Sequence, residues 1–293
     1  MNPLAIRPYL WMLMGCLAFT FMGNFTYALS GVSGTGLNLD WQWIAFFRAG
    51  LVFFFSLIIS NAMKAPLVFR GSKSLWLRSV SGSISLVCTF YAMTRLQLSL
   101  VLTITNMFPL WVACLSYPLL GKPADKSDWL AVFSALLGVA FIQKPDAPDD
   151  ILAMVSALIA SLSTAFAMIG LHKIKGMATQ SIVVHFSGLA SFACLCFLPG
   201  AKSGILGPLD FGWNGFLLLL GVGLSATIGQ TFLTMAFAKG VPTKVAVIGL
   251  SQVVFALVGD IFFWDKIPHW NDAVGMAMIV IPTAWTMLKQ SDA

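Results

Sequence analysis

Few side chains within the long apolar stretches of this 293-residue chain could do chemistry, and each type has a narrow repertoire. Arg48 lies seven residues inside a stretch that opens at Trp41, roughly 10 Å along a helix and too deep for a helix-end cation. A buried guanidinium costs several kcal/mol unless it meets water or a partner. Arg48 therefore either attracts a substrate carboxylate or phosphate, or is bonded to helix-end carbonyls and polar neighbours. His185 sits in the middle of its stretch, where an imidazole of reference pKa about 6.5 serves either as a proton carrier or as a neutral ring between helices. Asp260 is an acid roughly 8 Å from the centre of its stretch, either a proton or cation site or an acid paired with Lys266. Asn24, Asn106, Gln230 and Gln252 can hydrogen-bond a substrate or a neighbouring helix. Tyr91 and Trp111 offer aromatic surface to a cavity, whereas Trp264 and Trp285 stand nearer span ends as interfacial anchors.

Other chemistries lack their residues. All eleven acidic residues are aspartate, which removes any mechanism built on glutamate. Five cysteines, at 16, 88, 114, 194 and 196, occupy apolar stretches without Cys-x-x-Cys spacing, and the histidines at 172, 185 and 269 are far apart. Neither a zinc site nor a disulfide framework is expected. Gly221-x-Gly223-x-x-Ala226 spells a dinucleotide fingerprint, but no strand precedes it; Gly221, Ser225 and Gly229 instead mark a close helix contact. Without a Walker motif, serine elbow or metal cluster, an enzyme is not expected.

The elements that position these residues follow from composition. Hydrophobic residues make up 58% of the chain and charged residues 10%, against about 25% charged in a soluble domain. The chain belongs in a membrane. Backbone groups facing lipid need partners within their own segment, and the runs lack the alternation of a barrel, so the spans are helices. Stretches long enough to cross number ten: 8–39, 41–62, 79–94, 96–121, 129–143, 151–171, 176–201, 211–238, 245–264 and 273–288. Pro109 and Pro118 in the fourth and Pro282 in the tenth act either as hinges or as fixed kinks. With the N-terminus inside, twelve basic residues, Arg70, Lys73, Arg78 and Lys244 among them, fall in inner connections. Only Arg95, Lys144, Lys202 and Lys266 fall outside. The positive-inside rule thus places both termini in the cytoplasm of a multi-pass inner-membrane protein. The net charge of +6 is scattered singly rather than gathered in a stripe, so no nucleic-acid partner is expected.

Shifting the chain on itself by 144 positions lays Ala92–Gln143 over Ala236–Met287 without a gap. Few residues match, Lys122/Lys266 and Asp128/Asp272 among them, but the order of events repeats. A basic residue at a turn (Arg95, Lys239) precedes a span, a lysine ends it and an aspartate opens the next helix. A shift of 137 sets Arg48 over His185. Two halves with an odd number of spans each cross in opposite senses, the inverted repeat common among secondary transporters.

Several motifs carry a family resemblance: Phe46-Phe47-Arg48-Ala49; Phe90-Tyr91-Ala92-Met93 followed by Leu96, Leu98 and Ser99; and Pro109-Leu110-Trp111 through Leu119-Leu120-Gly121-Lys122. With the glycine-bearing segments at Gly138 and Gly275 to Ile281, they resemble the EamA family of the drug/metabolite transporter superfamily over essentially the whole chain. Lys122 departs from it, standing where glutamate is usual. Phe46-Phe47-Arg48 and Ile281-Pro282-Thr283 are similar to the S-adenosylmethionine uptake branch. The resemblance implies an all-α membrane protein of ten transmembrane helices, arranged as two inverted five-helix repeats at 1–146 and 147–293. The expected function is secondary transport without ATP, exporting or exchanging a small polar metabolite such as an amino acid by alternating access. Arg48, Tyr91, Asn106, Trp111, Gln230 and Gln252 would contact the substrate, and His185 and Asp260 would carry a coupling proton or ion. The metabolite and the lipid bilayer are then the partners; proton coupling and a homodimer stay open, and neither cofactor nor metal is implied. Uptake of the S-adenosylmethionine type, or a non-transporting assembly or sensor role, is the alternative.

Overall fold

The computed structural model describes residues 3–29, 39–93, 95–96, 98–144, 150–198, 212–264 and 267–291. The acids Asp146, Asp149 and Asp265 and the outer lysines Lys202 and Lys266 lie outside them. Twelve α-helices occur among the described residues: α1 (Pro3–Leu29), α2 (Trp41–Ala62), α3 (Lys73–Met93), α4 (Leu98–Thr105), α5 (Phe108–Leu120), α6 (Lys126–Gln143), α7 (Ile151–Lys173), α8 (Thr179–Phe197), α9 (Gly212–Lys239), α10 (Pro242–Gly249), α11 (Ser251–Trp264) and α12 (Trp270–Ser291). Seven segments are long and apolar enough to cross a membrane: Ile6–Leu29, Trp41–Ala62, Leu100–Leu120, Ile151–Lys173, Thr179–Cys196, Gly212–Lys239 and Pro242–Trp264. The remaining expected spans lie in α3, α6 and α12, which are helical but more polar: α3 carries Arg78 and a series of serines, α6 opens on Lys126, and the first turn of α12 holds Asn271 and Asp272.

Within the first apolar stretch, α1 runs to Leu29. Elsewhere the structure departs from the sequence reading. α3 begins at Lys73, so Arg78 is not in an inner connection but inside a helix, with only 2% of its surface exposed. The fourth and ninth spans are each broken in two. Pro109, in the first turn of α5, has no N–H for the Thr105 carbonyl and crowds it, which ends α4. The ninth span breaks at Leu250 without a proline nearby. There the buried Cys16 thiol of α1 donates weakly to the Gly249 carbonyl at 3.4 Å, partnering one of the freed acceptors inside the protein.

The helix layout repeats. A shift of 144 positions carries α4 onto α10 end for end, the last residue of α5 onto that of α11, and the first residue of α6 onto that of α12. The entry to α6 and to α12 is capped alike: the Asp125 N–H donates to Asp128 Oδ2 at 3.4 Å, and the His269 N–H to Asp272 Oδ2 at 2.8 Å.

The most extensive helix pairings are α1 with α9, α3 with α7, α2 with α8 and α6 with α12. Each joins a helix from the N-terminal half to one from the C-terminal half, so the halves interlock rather than sit side by side. Small residues allow the approach. Phe19 and Phe25 of α1 pack over Gly229 and Gly221 of α9, an antiparallel order. At the α6–α12 crossing the backbones meet: a Cβ on Gly138 would stand 2.6 Å from the Gly275 carbonyl oxygen, and one on Gly275 would stand 2.7 Å from that of Gly138. Gly138→Ala should therefore lower the thermal unfolding temperature in detergent, at a cost of about 1–3 kcal/mol. Gly50→Ala, in a helix with nothing within 4 Å of the added carbon, should not lower it; equal effects would contradict the backbone contact.

Candidate functional site

One buried polar cluster is organised by the arginine that the sequence reading placed in a connection. Arg78 stands five residues inside α3, roughly 7 Å along it. Its guanidinium lies over the Phe186 ring of α8, with Cζ 4.1 Å from the centroid, and Nη2 donates to Gln230 Oε1 of α9 at 3.2 Å. Among the described residues Nε has no hydrogen-bond partner, and no carboxylate pairs with the group. Gly82, one turn on, leaves the space it fills: a Cβ there would come within 2.5 Å of Nη1 and 2.7 Å of the Phe186 ring. The next residue of α3, Ser79, places its Oγ 2.8 Å from His185 Nδ1 on α8, and the His185 ring meets Trp76 edge-on at 5.0 Å. Three helices thus converge on a cation held by one neutral acceptor and one aromatic face.

Of the residues expected to act, Gln230 and His185 enter this cluster. Asn106 and Gln252 lie instead at the two helix breaks, Asn106 just after α4 and Gln252 two residues beyond Leu250. Both side chains are half-buried and make no hydrogen bond among the described residues. Trp111 packs against the core that Tyr9, Met12 and Phe237 share, and its Nε1 is buried without a partner. Arg48 is half-buried in α2 and makes neither a hydrogen bond nor an ion pair among the described residues. A small apolar hollow lined by Trp41, Ala45, Phe90 and Cys194 begins one turn before it. Tyr91, near the C-terminal end of α3, carries the Arg95 guanidinium over its ring at 5.6 Å, and Arg95 also reaches Asp150 at 3.6 Å. Asp260 is half-buried in α11 and already engaged by a neighbour. Asn24 is a helix tie: Trp264 Nε1 donates to its Oδ1 at 2.8 Å, joining α11 to α1.

The sequence reading missed Arg78 because Arg70, Lys73 and Arg78 look like one basic connection. The signal that could have found it is Gly82, a small residue one turn away on a serine-rich helix. Lys244, counted with the inner connections, is likewise buried at 8% exposure within α10.

Known proteins place this geometry. The model of the EamA-like transporter family matches residues 10–143 and again 148–288. The pseudopaline exporter CntI of Pseudomonas aeruginosa is 26% identical over 275 residues, covering 89% of this chain and 91% of that protein. Solute carrier family 35 member G1 of Mus musculus is 25% identical over 229 residues, covering 74% of this chain and 62% of its own. One protein crystal structure superposes with a TM-score of 0.77 at 15% identity, covering 94% of this chain and 97% of that one, which shows a shared fold. Within the site, the two kinds of polar residue should respond differently to substitution. Asn24→Leu removes a made hydrogen bond and should lower the unfolding temperature, at a cost of about 1 kcal/mol. Asn106→Leu and Gln252→Leu break no bond and should leave it unchanged; a drop as large as that of Asn24→Leu would make them structural.

Proposed function

The chain belongs to the EamA-like transporter family of the drug/metabolite transporter superfamily, and we propose that this membrane transporter moves a small polar metabolite by alternating access, without ATP. The observation that carries the proposal is the recurrence of one helix plan at a spacing of 144 residues, broken span and capped entry included. That recurrence supports a reading of ten crossings in two inverted halves, at 1–146 and 147–293, each contributing a span whose break lies near the centre. Interrupted helices free backbone carbonyls and donors where a bilayer would otherwise forbid them, and in secondary transporters such breaks frame the substrate site. Asn106 and Gln252 stand beside the two breaks with unused amides, and Trp111, packed against the core, offers an N–H unpartnered among the described residues. These three, with Gln230, are the proposed polar contacts of a metabolite.

Interlocked pairing also bears on the motion. Because α1 packs on α9 and α3 on α7, a rocking step slides helices of one half along helices of the other, over the glycine-lined contacts. The excess of basic residues in inner connections supports cytoplasmic termini and an inner-membrane location. The Pseudomonas relative is an exporter by name, and export is the direction proposed here, with His185 and Asp260 as coupling groups.

Purified protein in sealed liposomes should show saturable counterflow of at least one small polar metabolite from a panel that includes the amino acids. Asn106→Leu and Gln252→Leu should slow it by about tenfold or more, at unchanged unfolding temperature. Absence of counterflow for every member would instead favour an assembly or sensor role.

A further inference from the structure

We propose that Arg78 anchors a carboxylate of the transported metabolite, at a subsite formed where α3, α8 and α9 meet. This rests on the transporter reading and deepens it by naming the substrate's chemical class. A guanidinium has five N–H donors; among those of Arg78, one is taken by Gln230 Oε1. Among the described residues Nε has no partner and Nη1 makes no hydrogen bond, although Arg78 is 2% exposed. An arginine that only braces helices at such depth is held by an acid or by backbone carbonyls. Arg78 has an amide oxygen and the face of Phe186.

The orientation decides which ligand fits. Arg78 Cζ lies over the Phe186 ring, and the N–H donors of a guanidinium lie in its own plane, where a planar acceptor with two oxygens accepts a parallel pair of hydrogen bonds. One positive charge balances one carboxylate. A phosphate dianion would bring a second negative charge, and no second cation is hydrogen-bonded into the cluster. By the proposed topology Arg78 lies in the cytoplasmic half and Arg48 in the outer half. The two cations then mark two depths of one path, with Arg78 the first met by a metabolite leaving the cell.

The test is thermal unfolding of the full-length protein in detergent with three probe sets: free amino acids, their carboxamides, and inorganic phosphate. One or more amino acids should raise the unfolding temperature by several degrees, while the matching carboxamide and phosphate should not. Arg78→Met should unfold at or above the wild-type temperature, because an uncompensated charge is removed, and should need about tenfold or more ligand for the same shift. Arg78→Lys keeps the charge without the fork and should show the same weakening; it decides the matter if the methionine variant does not fold. Arg70→Gln, on the exposed surface, should respond like wild type. Undiminished response in Arg78→Met and Arg78→Lys, equal response to acids and carboxamides, stabilisation by phosphate alone, or no carboxylate response at all overturns the proposal. Counterflow of a metabolite without a carboxylate would overturn it while leaving the transporter reading intact; no counterflow of anything would overturn that reading instead.

Discussion

Hydrocarbon offers no hydrogen bonds, so every N–H, C=O and charge within the bilayer must find its partner inside the protein. Much of this structure is an answer to that constraint. Hydroxyl groups turn back onto their own helices, as Ser116 does to the Val112 carbonyl at 2.7 Å, Ser187 to Val183 at 2.7 Å and Thr227 to Gly223 at 2.7 Å. A buried thiol serves a carbonyl freed at a helix break. All eight residues of α10, the segment that leads into that break, are buried in protein. Among the described residues the exceptions are informative: Arg78 Nε and Trp111 Nε1 are buried without partners, as are Trp43 Nε1, the Oγ atoms of Ser56, Ser83 and Ser161, Gln180 Oε1 and Asn271 Oδ1, and the half-buried amides of Asn106 and Gln252 make no hydrogen bond. Keeping such groups costs stability, and on the proposed reading a polar ligand offsets part of that cost at Arg78 and Trp111.

The two halves reach the same plan by different chemistry. α4 is ended by Pro109 of the following helix, while α10 ends at Gly249 with a sulfur reaching in from α1. Each of α10's residues is buried, whereas Leu102, Thr103 and Thr105 of α4 are only half so. A similar asymmetry sets Arg48 opposite His185 under the 137-residue shift: one half offers a guanidinium, the other an imidazole hydrogen-bonded to Ser79. Equivalent backbones with unequal side chains suit a carrier whose two ends must open to different solutions.

How much of this the sequence could tell depended on the kind of signal. Apolar length located α2 to the residue, because Trp41 and Ala62 are bounded by abrupt polar change. The register of Asp128 with Asp272 anticipated two equivalent capped helix entries from a pattern of few identities. The breaks were less visible: a proline marks the first, but nothing in the run Val245 to Trp264 announces the second, and the thiol that serves its freed carbonyl is more than two hundred residues away in sequence. Charge counting failed at Arg78 for a related reason. An arginine near other basic residues reads as a connection, and only the ring of Phe186 and the amide of Gln230, both from the other half of the chain, hold it inside. Conversely, Asn24 and Tyr91 are polar groups within spans that the Trp264 and Arg95 side chains already engage.

The central claim is that the unpartnered polar groups mark where the metabolite binds. An experimental structure of the full-length protein with a transported metabolite bound tests this most directly. The account predicts its carboxylate oxygens within hydrogen-bond distance of the Arg78 guanidinium, with its remaining polar atoms directed toward Gln252, Asn106 or Trp111. A ligand bound elsewhere, with Arg78 still meeting only Gln230 and Phe186, would contradict it.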